Sequence, residues 1–111
     1  MLNKDYRINK KKDYNNIYQK GKKIPGKYMV VFMITGEGEH SRFGIVASKK
    51  VGNAVNRNRA KRRLRTVIYR NMSNVKDRMD VVIIARPAIN EVSWEELNKE
   101  YKRVMRKAGL C

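Results

Sequence analysis

The sequence has few of the residues from which most catalytic and metal sites are built. It has one cysteine, Cys111, and one histidine, His40, which rules out an internal disulfide, a cysteine metal cluster and a His pair for acid–base chemistry. A lone cysteine suits a reducing compartment, and a cytoplasmic location is expected. Acidic residues are scarce, 10 Asp plus Glu against 27 Lys plus Arg. Asp5, Asp13, Asp77 and Asp80 are scattered and form no trio at metal-site spacing, so no catalytic residue and no metal ligand is expected in the chain. No Gly-rich phosphate loop is present, and His40, beside Glu39 in a turn, reads as a solvated loop residue. Long apolar runs are also missing. The longest, Met29 to Ile34, falls well short of the ~20 residues that cross a bilayer. The opening MLNKDYRINKKK is basic with no apolar stretch after it, so neither a membrane span nor an export signal is expected.

What is present is enough apolar material for one core and a large excess of positive charge. The 111 residues are 41% hydrophobic with 2 Pro and 7 Gly, which fits one folded domain, 1–111, and excludes a low-complexity chain. A formal charge of +17 far exceeds what solubility requires and points to a polyanionic partner. Nucleic acid fits better than a membrane, because the cations are mixed with Asn and aromatics and no segment pairs a basic face with a broad apolar one.

Residues 1–12 read as a basic, loose arm with Leu2, Tyr6 and Ile8 as its only large apolar side chains. Asp13 to Gln19 puts Tyr14, Ile17 and Tyr18 on one face of a short helix that Gly21 is placed to stop. Lys27 to Thr35 and Ser41 to Ser48, joined across Gly36-Glu37-Gly38-Glu39, predict a β-hairpin. Met79 to Arg86 predicts a strand buried on both faces or central in the sheet. A helix from about 53–56 to Asn71 lies between the second and third strands, giving a strand–helix–strand unit. Ser93-Trp94-Glu95-Glu96 is a capping-box pattern that opens a last helix carrying Leu97, Tyr101, Val104 and Met105. The fold class is α+β, a small single-domain sandwich whose sheet is flanked by an N-terminal and a C-terminal helix.

The most informative stretch is SKKVGNAVNRNRAKRRLR, from Ser48 to Arg65. On a helix, Ala60, Leu64, Val67 and Ile68 share one arc, Arg59, Arg62, Arg63 and Arg70 the opposite one, and Lys61 with Arg65 a flank. Solvated helices usually interleave Glu with Lys, yet from Lys49 to Arg70 there is no Asp or Glu. The mutual repulsion then needs a polyanion to offset it. Arginine predominates, and its planar fork grips phosphate or stacks on a base. Arg57 falls on the apolar stripe instead; it either reaches along the sheet side towards a bound strand, or pairs with Asp80, or ends in solvent.

This block, with Arg57-Asn58-Arg59 inside GNAVNRNRAKRRLR and ASKKVG before it, resembles the bacterial ribonuclease P protein family. The resemblance extends through KKDYNNIYQKG, FGIVASKK and DVVIIARP, nearly the whole chain. It implies a mixed sheet with a left-handed β–α–β crossover, a connection that pattern reading alone would make right-handed. It also implies a protein subunit of ribonuclease P that helps remove the 5′ leader of precursor tRNA, with catalysis and most of the Mg²⁺ binding supplied by the RNA. The implied partners are the catalytic RNA and precursor tRNA, with no obligatory protein partner. The catalytic-RNA surface would comprise Lys49, Lys50, Asn53, Asn56, Asn58, Arg59, Lys61, Arg62, Arg63 and Arg65. A leader-binding cleft would comprise Tyr14, Tyr18, Phe32, Arg57 and Arg86, for which plain core packing of the aromatics is the competing reading. Family members often carry Phe on the first helix and Tyr on the strand, so this chain departs at all three aromatic positions and again at Val46.

Two other classes share the size and charge. A ribosomal or other structural RNA-binding protein would lack the GNAVNRNRAKRRLR block, and a DNA-binding module would need helix-turn-helix spacing or a dimerisation heptad. On any of these readings self-repulsion destabilises the free protein and anions bind the folded form preferentially. Added phosphate or sulfate is expected to raise the melting temperature, and an unchanged value would count against the electrostatic reading.

Overall fold

The computed structural model describes residues 6–75 and 78–109. Residues 1–5 of the basic arm, with Leu2 and Asp5, lie outside the described residues, as do Asp77 and Cys111.

One four-stranded sheet organises the chain, with strands β1 Lys22–Pro25, β2 Met29–Thr35, β3 Arg42–Val46 and β4 Met79–Ala85 in the spatial order β1-β2-β4-β3. β1 pairs with β2 and β2 with β4, both antiparallel, whereas β3 runs parallel to β4. The hairpin expected between 27–35 and 41–48 therefore does not form, because β4 inserts between its two arms. The reason lies in composition. MDVVIIA is apolar on both faces and buried along nearly its whole length, and such a strand is best served with a neighbour on each edge. β3, with Arg42 and Gly44, tolerates the edge. β1 was not anticipated, since KKIP has the lysines and proline that mark an edge strand and mask its β character.

Three helices cover the sheet: α1 Lys11–Lys20, α2 Ala54–Arg70 and α3 Trp94–Lys107. α2 and α3 pack on one face through Ala60, Leu64, Val67, Ile68, Leu97, Tyr101, Val104 and Met105, against Met29, Val31, Phe43, Val81 and Ile83. α1 covers the other face with Ile17, packed with Ile8 and Val82. Ile17 is the buried residue of α1, and its burial contributes ~1.5–3 kcal/mol to holding that helix down. The caps follow the sequence. Asn53 Oδ1 accepts from the Asn56 N–H at 3.0 Å and Ser93 Oγ from the Glu96 N–H at 3.2 Å. α1 ends before Gly21, whose backbone is extended and leads straight into β1. β3, α2 and β4 form the expected strand–helix–strand unit with parallel strands.

Residues 6–10 are not a loose arm. Arg7 bridges to Phe43 on the β3 edge, the Ile8 N–H donates to the Phe43 carbonyl at 2.9 Å, and Tyr14 Oη donates to the Ile8 carbonyl at 3.1 Å. Lys11 and Lys12 already belong to α1. His40 is half-buried with its ring 4.3 Å from that of Tyr6, so it is part of this docking and not a bare loop residue.

Glu100 on α3 fastens the β1–β2 turn. Its carboxylate is buried, accepts from the backbone N–H of Lys27, and accepts from Arg103 Nε at 2.6 Å. The Arg103 hydrogen bond, joined by the Lys27 N–H, outweighs burial and holds the carboxyl below the usual Glu range. A group with a depressed folded pKa contributes stability above its unfolded pKa, and that contribution is lost as pH falls through the folded value. Glu100→Gln is therefore expected to cost about 1–3 kcal/mol at pH 7. Denaturant titrations of variant and wild type should converge as pH falls below the ordinary Glu range; a gap that persists into acid would refute the assignment.

Candidate nucleic-acid interface

The α1 face of the sheet shows how the sequence builds a cleft. Pairing brings Lys23, Phe32, Val82 and Gly44 into one row across all four strands. α1 crosses this row with the stripe predicted from sequence. Tyr18 meets Phe32 edge-on, with centroids 5.1 Å apart at 75°, and Tyr14 lies over Gly44. Only glycine allows this, since a Cβ at position 44 would stand 2.6 Å from the Tyr14 hydroxyl oxygen. The next row, Val30, Ile84 and Val46, is half-buried and forms an apolar floor beside the aromatics.

Plain core packing does not describe these rings. Tyr14 and Phe32 are half-buried and Tyr18 is 37% exposed. Burial raises the pKa of both tyrosines, and in Tyr18 the neighbouring Tyr14 adds to it. Both phenols therefore stay neutral at physiological pH and do not repel phosphate. Tyr14 uses its hydroxyl internally on the Ile8 carbonyl.

Cations stand on both sides of this cleft. Lys23 Nζ lies 5.8 Å from the Phe32 ring centroid. On the opposite side Arg65 and Arg7 line a pocket of about 150 Å³ with Tyr14, Ile8, Phe43 and Ile45. Arg57, Lys61 and Arg65, spaced i, i+4 and i+8, are half-buried along one flank of α2. Arg57 therefore lies on the same half-buried strip of α2 as Lys61 and Arg65, and Asp80 belongs to another partner, Arg42, at 2.8 and 3.0 Å. Arg86 is exposed and its Nη1 donates to the Gly26 carbonyl at 3.1 Å, which fixes it beyond the end of β4.

The outer side of α2 presents Asn58, Arg59 and Arg62, all exposed, and the approach to it presents exposed Lys49 and Lys50. Gly52, at φ +136°, turns the chain from that approach into α2, where a Cβ would crowd Asn56. Asn53 is used as the cap, and the Asn56 carbonyl accepts from Asn90 Nδ2 at 2.9 Å. Arg63 corrects the sequence reading. Its Nη1 donates to the Ile89 carbonyl at 2.5 Å and its Nη2 to the Val92 carbonyl at 2.6 Å, so its fork ties down the segment before α3 and holds a structural post that the exposed Arg59 and Arg62 do not. Burial first, and then repulsion from Arg59, lowers its pKa. Arg70 is likewise engaged, 5.2 Å over the Trp94 ring.

Lys23, Arg7 and Gly44 were missed by sequence reasoning. Strand alternation would have placed Lys23 beside Phe32 had KKIP been read as β1, whereas Arg7 and Gly44 needed the tertiary pairing. Among the described residues no group of three His, Cys, Asp or Glu could hold one, and the depression containing Asp13, Glu37 and Asp80 also contains Arg42, which pairs with both aspartates. No helix among the described residues is long and apolar enough to cross a membrane.

A cationic helix on one side of a mixed sheet and an aromatic cleft on the other make this a small RNA-binding α+β protein. The profile of the family described as ribonuclease P matches residues 2–109. The ribonuclease P protein component of Syntrophomonas wolfei subsp. wolfei is 38% identical over 110 residues, covering 99% of this chain and 92% of that relative. A Staphylococcus aureus RNase P protein mutant with defective mRNA degradation activity superposes with a TM-score of 0.89 at 33% identity, over 97% of this chain and 92% of that one. The RNase P protein from Thermotoga maritima gives a TM-score of 0.82 at 27% identity, over 91% and 96%. The chain belongs to the ribonuclease P protein family.

Proposed function

We propose that this chain acts as the protein subunit of a cytoplasmic ribonuclease P ribonucleoprotein, binding the catalytic RNA through the outer side of α2 and the 5′ leader of precursor tRNA in the α1 cleft. The observation that carries the reading is the cleft: neutral aromatic rings over an apolar floor, with Lys23 on one side and Arg65 on the other. Single strands are held in this way, with bases on ring faces and cations following the backbone. Folded RNA is the suited partner of Arg59, Arg62, Lys49 and Lys50, whose positive charge meets no acidic residue between Lys49 and Arg70. Neutralising about six phosphates corresponds to a log–log salt slope of roughly −4 to −5.

Bond breaking is assigned to the RNA. Magnesium ions held mainly by that RNA supply the metal chemistry, and the protein's side chains bind and orient the substrate. By placing cations between two polyanions the protein raises precursor affinity and lowers the magnesium requirement.

Arg57→Ala is expected to weaken holoenzyme binding of precursor tRNA more than of mature tRNA, because only the precursor has a leader. Arg62→Ala is expected to weaken assembly with the catalytic RNA and affect both tRNA forms alike once assembled. Equilibrium binding with the two tRNA forms separates the cases, and equal loss for both with Arg57→Ala would reject the leader assignment.

A further inference from the structure

The outer ridge of α2 carries two apolar side chains that an electrostatic interface does not use. Among the described residues the exposed large hydrophobic side chains are Tyr18, Val55 and Tyr69, at 37%, 72% and 56%. Tyr18 belongs to the cleft, and the other two both lie on α2. Val55, Arg62 and Tyr69 follow one another at i, i+7 and i+14, so each lies ~20° round the helix from the next and the ends are ~21 Å apart. This line runs opposite the buried stripe of Ala60, Leu64, Val67 and Ile68.

Single exposed apolar residues are ordinary on any surface. These two stand at either end of the line whose centre is Arg62, on the one helix with many cations and no acid. Arginine alone would serve phosphates. A tyrosine ring adds a flat face, which matches the face of a base that is not already stacked. A continuous A-form helix offers no such face, since its bases are stacked and its accessible groove shows edges and 2′-hydroxyls.

We propose that Tyr69 stacks on an unpaired base of the RNA seated on α2, so that this helix docks where the RNA duplex is interrupted by a bulge, loop or junction, with Val55 against the RNA at the other end of the ridge. The inference rests on the reading of α2 as the catalytic-RNA surface, and it specifies what that surface recognises. A contact of this kind adds affinity without releasing counterions, so it is separable from the phosphate contacts.

The test is to measure the affinity of the full chain for a ribonuclease P RNA across a salt series, for wild type, Tyr69→Ala, Tyr69→Phe and Arg62→Ala. Tyr69→Ala is expected to bind about 5- to 100-fold more weakly with an unchanged slope, and Tyr69→Phe as wild type. Arg62→Ala should reduce the slope by about 0.7–0.9. An unpaired base should lose chemical reactivity on assembly with wild type and keep it with Tyr69→Ala. Wild-type affinity in Tyr69→Ala, an equal loss in Tyr69→Phe, or a changed slope in Tyr69→Ala would overturn the stacking proposal even if Arg62→Ala behaves as expected. If Arg62→Ala and Tyr69→Ala both bind as wild type, the reading of α2 falls with it.

Discussion

Where the few acidic side chains go constrains the rest of the structure. Asp13 and Asp80 pair with Arg42, and Glu100 with Arg103 and the Lys27 N–H. Those partners hold the start of α1, the β3 edge and the β1–β2 turn in place. The ion pairs among the described residues thus serve the fold, and α2 and the aromatic cleft keep their positive charge uncompensated. The cost of that charge is borne by the free protein and relieved when a polyanion arrives. The same excess therefore predicts both a lower stability of the free chain and an affinity for polyanions.

Geometry turns that excess into two distinct surfaces. Placing β4 in the centre obliges both faces of the sheet to be covered. α2 and α3 together cover most of one face, whereas α1 alone covers part of the other and leaves Val30, Ile84 and Val46 half-buried beside its tyrosines. The partial cover is the cleft. Arg65, on the half-buried flank of α2 with Arg57 and Lys61, reaches the edge of the cleft beside Tyr14, while Arg59 and Arg62 are exposed on the outer side, so the two cationic strips of this helix face different surroundings. That arrangement suits the proposed role, in which a substrate is held against a catalytic RNA.

Much of this was legible in the sequence because local patterns report local structure. Tyr14, Ile17 and Tyr18 marked α1, the stretch 53–56 bracketed the start of α2, Ser93 marked the start of α3, and MDVVIIA marked a doubly buried strand. What was not legible depended on pairing between distant segments. The turn at Gly36 to Glu39 looked like a hairpin because nothing local reveals that β4 will separate β2 from β3. Arg63 looked like its neighbours because a guanidinium that grips phosphate can equally grip the Ile89 and Val92 carbonyls, and only the path of that segment decides. The docking of Arg7 and Ile8 on β3 was hidden for the same reason, in a stretch whose composition is that of a free tail.

The account stands on the claim that the cations of α2 and the cleft bring catalytic RNA and precursor together while the RNA performs the cleavage. The direct measurement is leader release from precursor tRNA by a ribonuclease P RNA at low magnesium, with and without the purified chain freed of nucleic acid. The account predicts that the chain restores cleavage which the RNA alone performs poorly, and that the chain alone releases nothing. Cleavage by the RNA-free protein, or an RNA rate untouched by its addition, would contradict it.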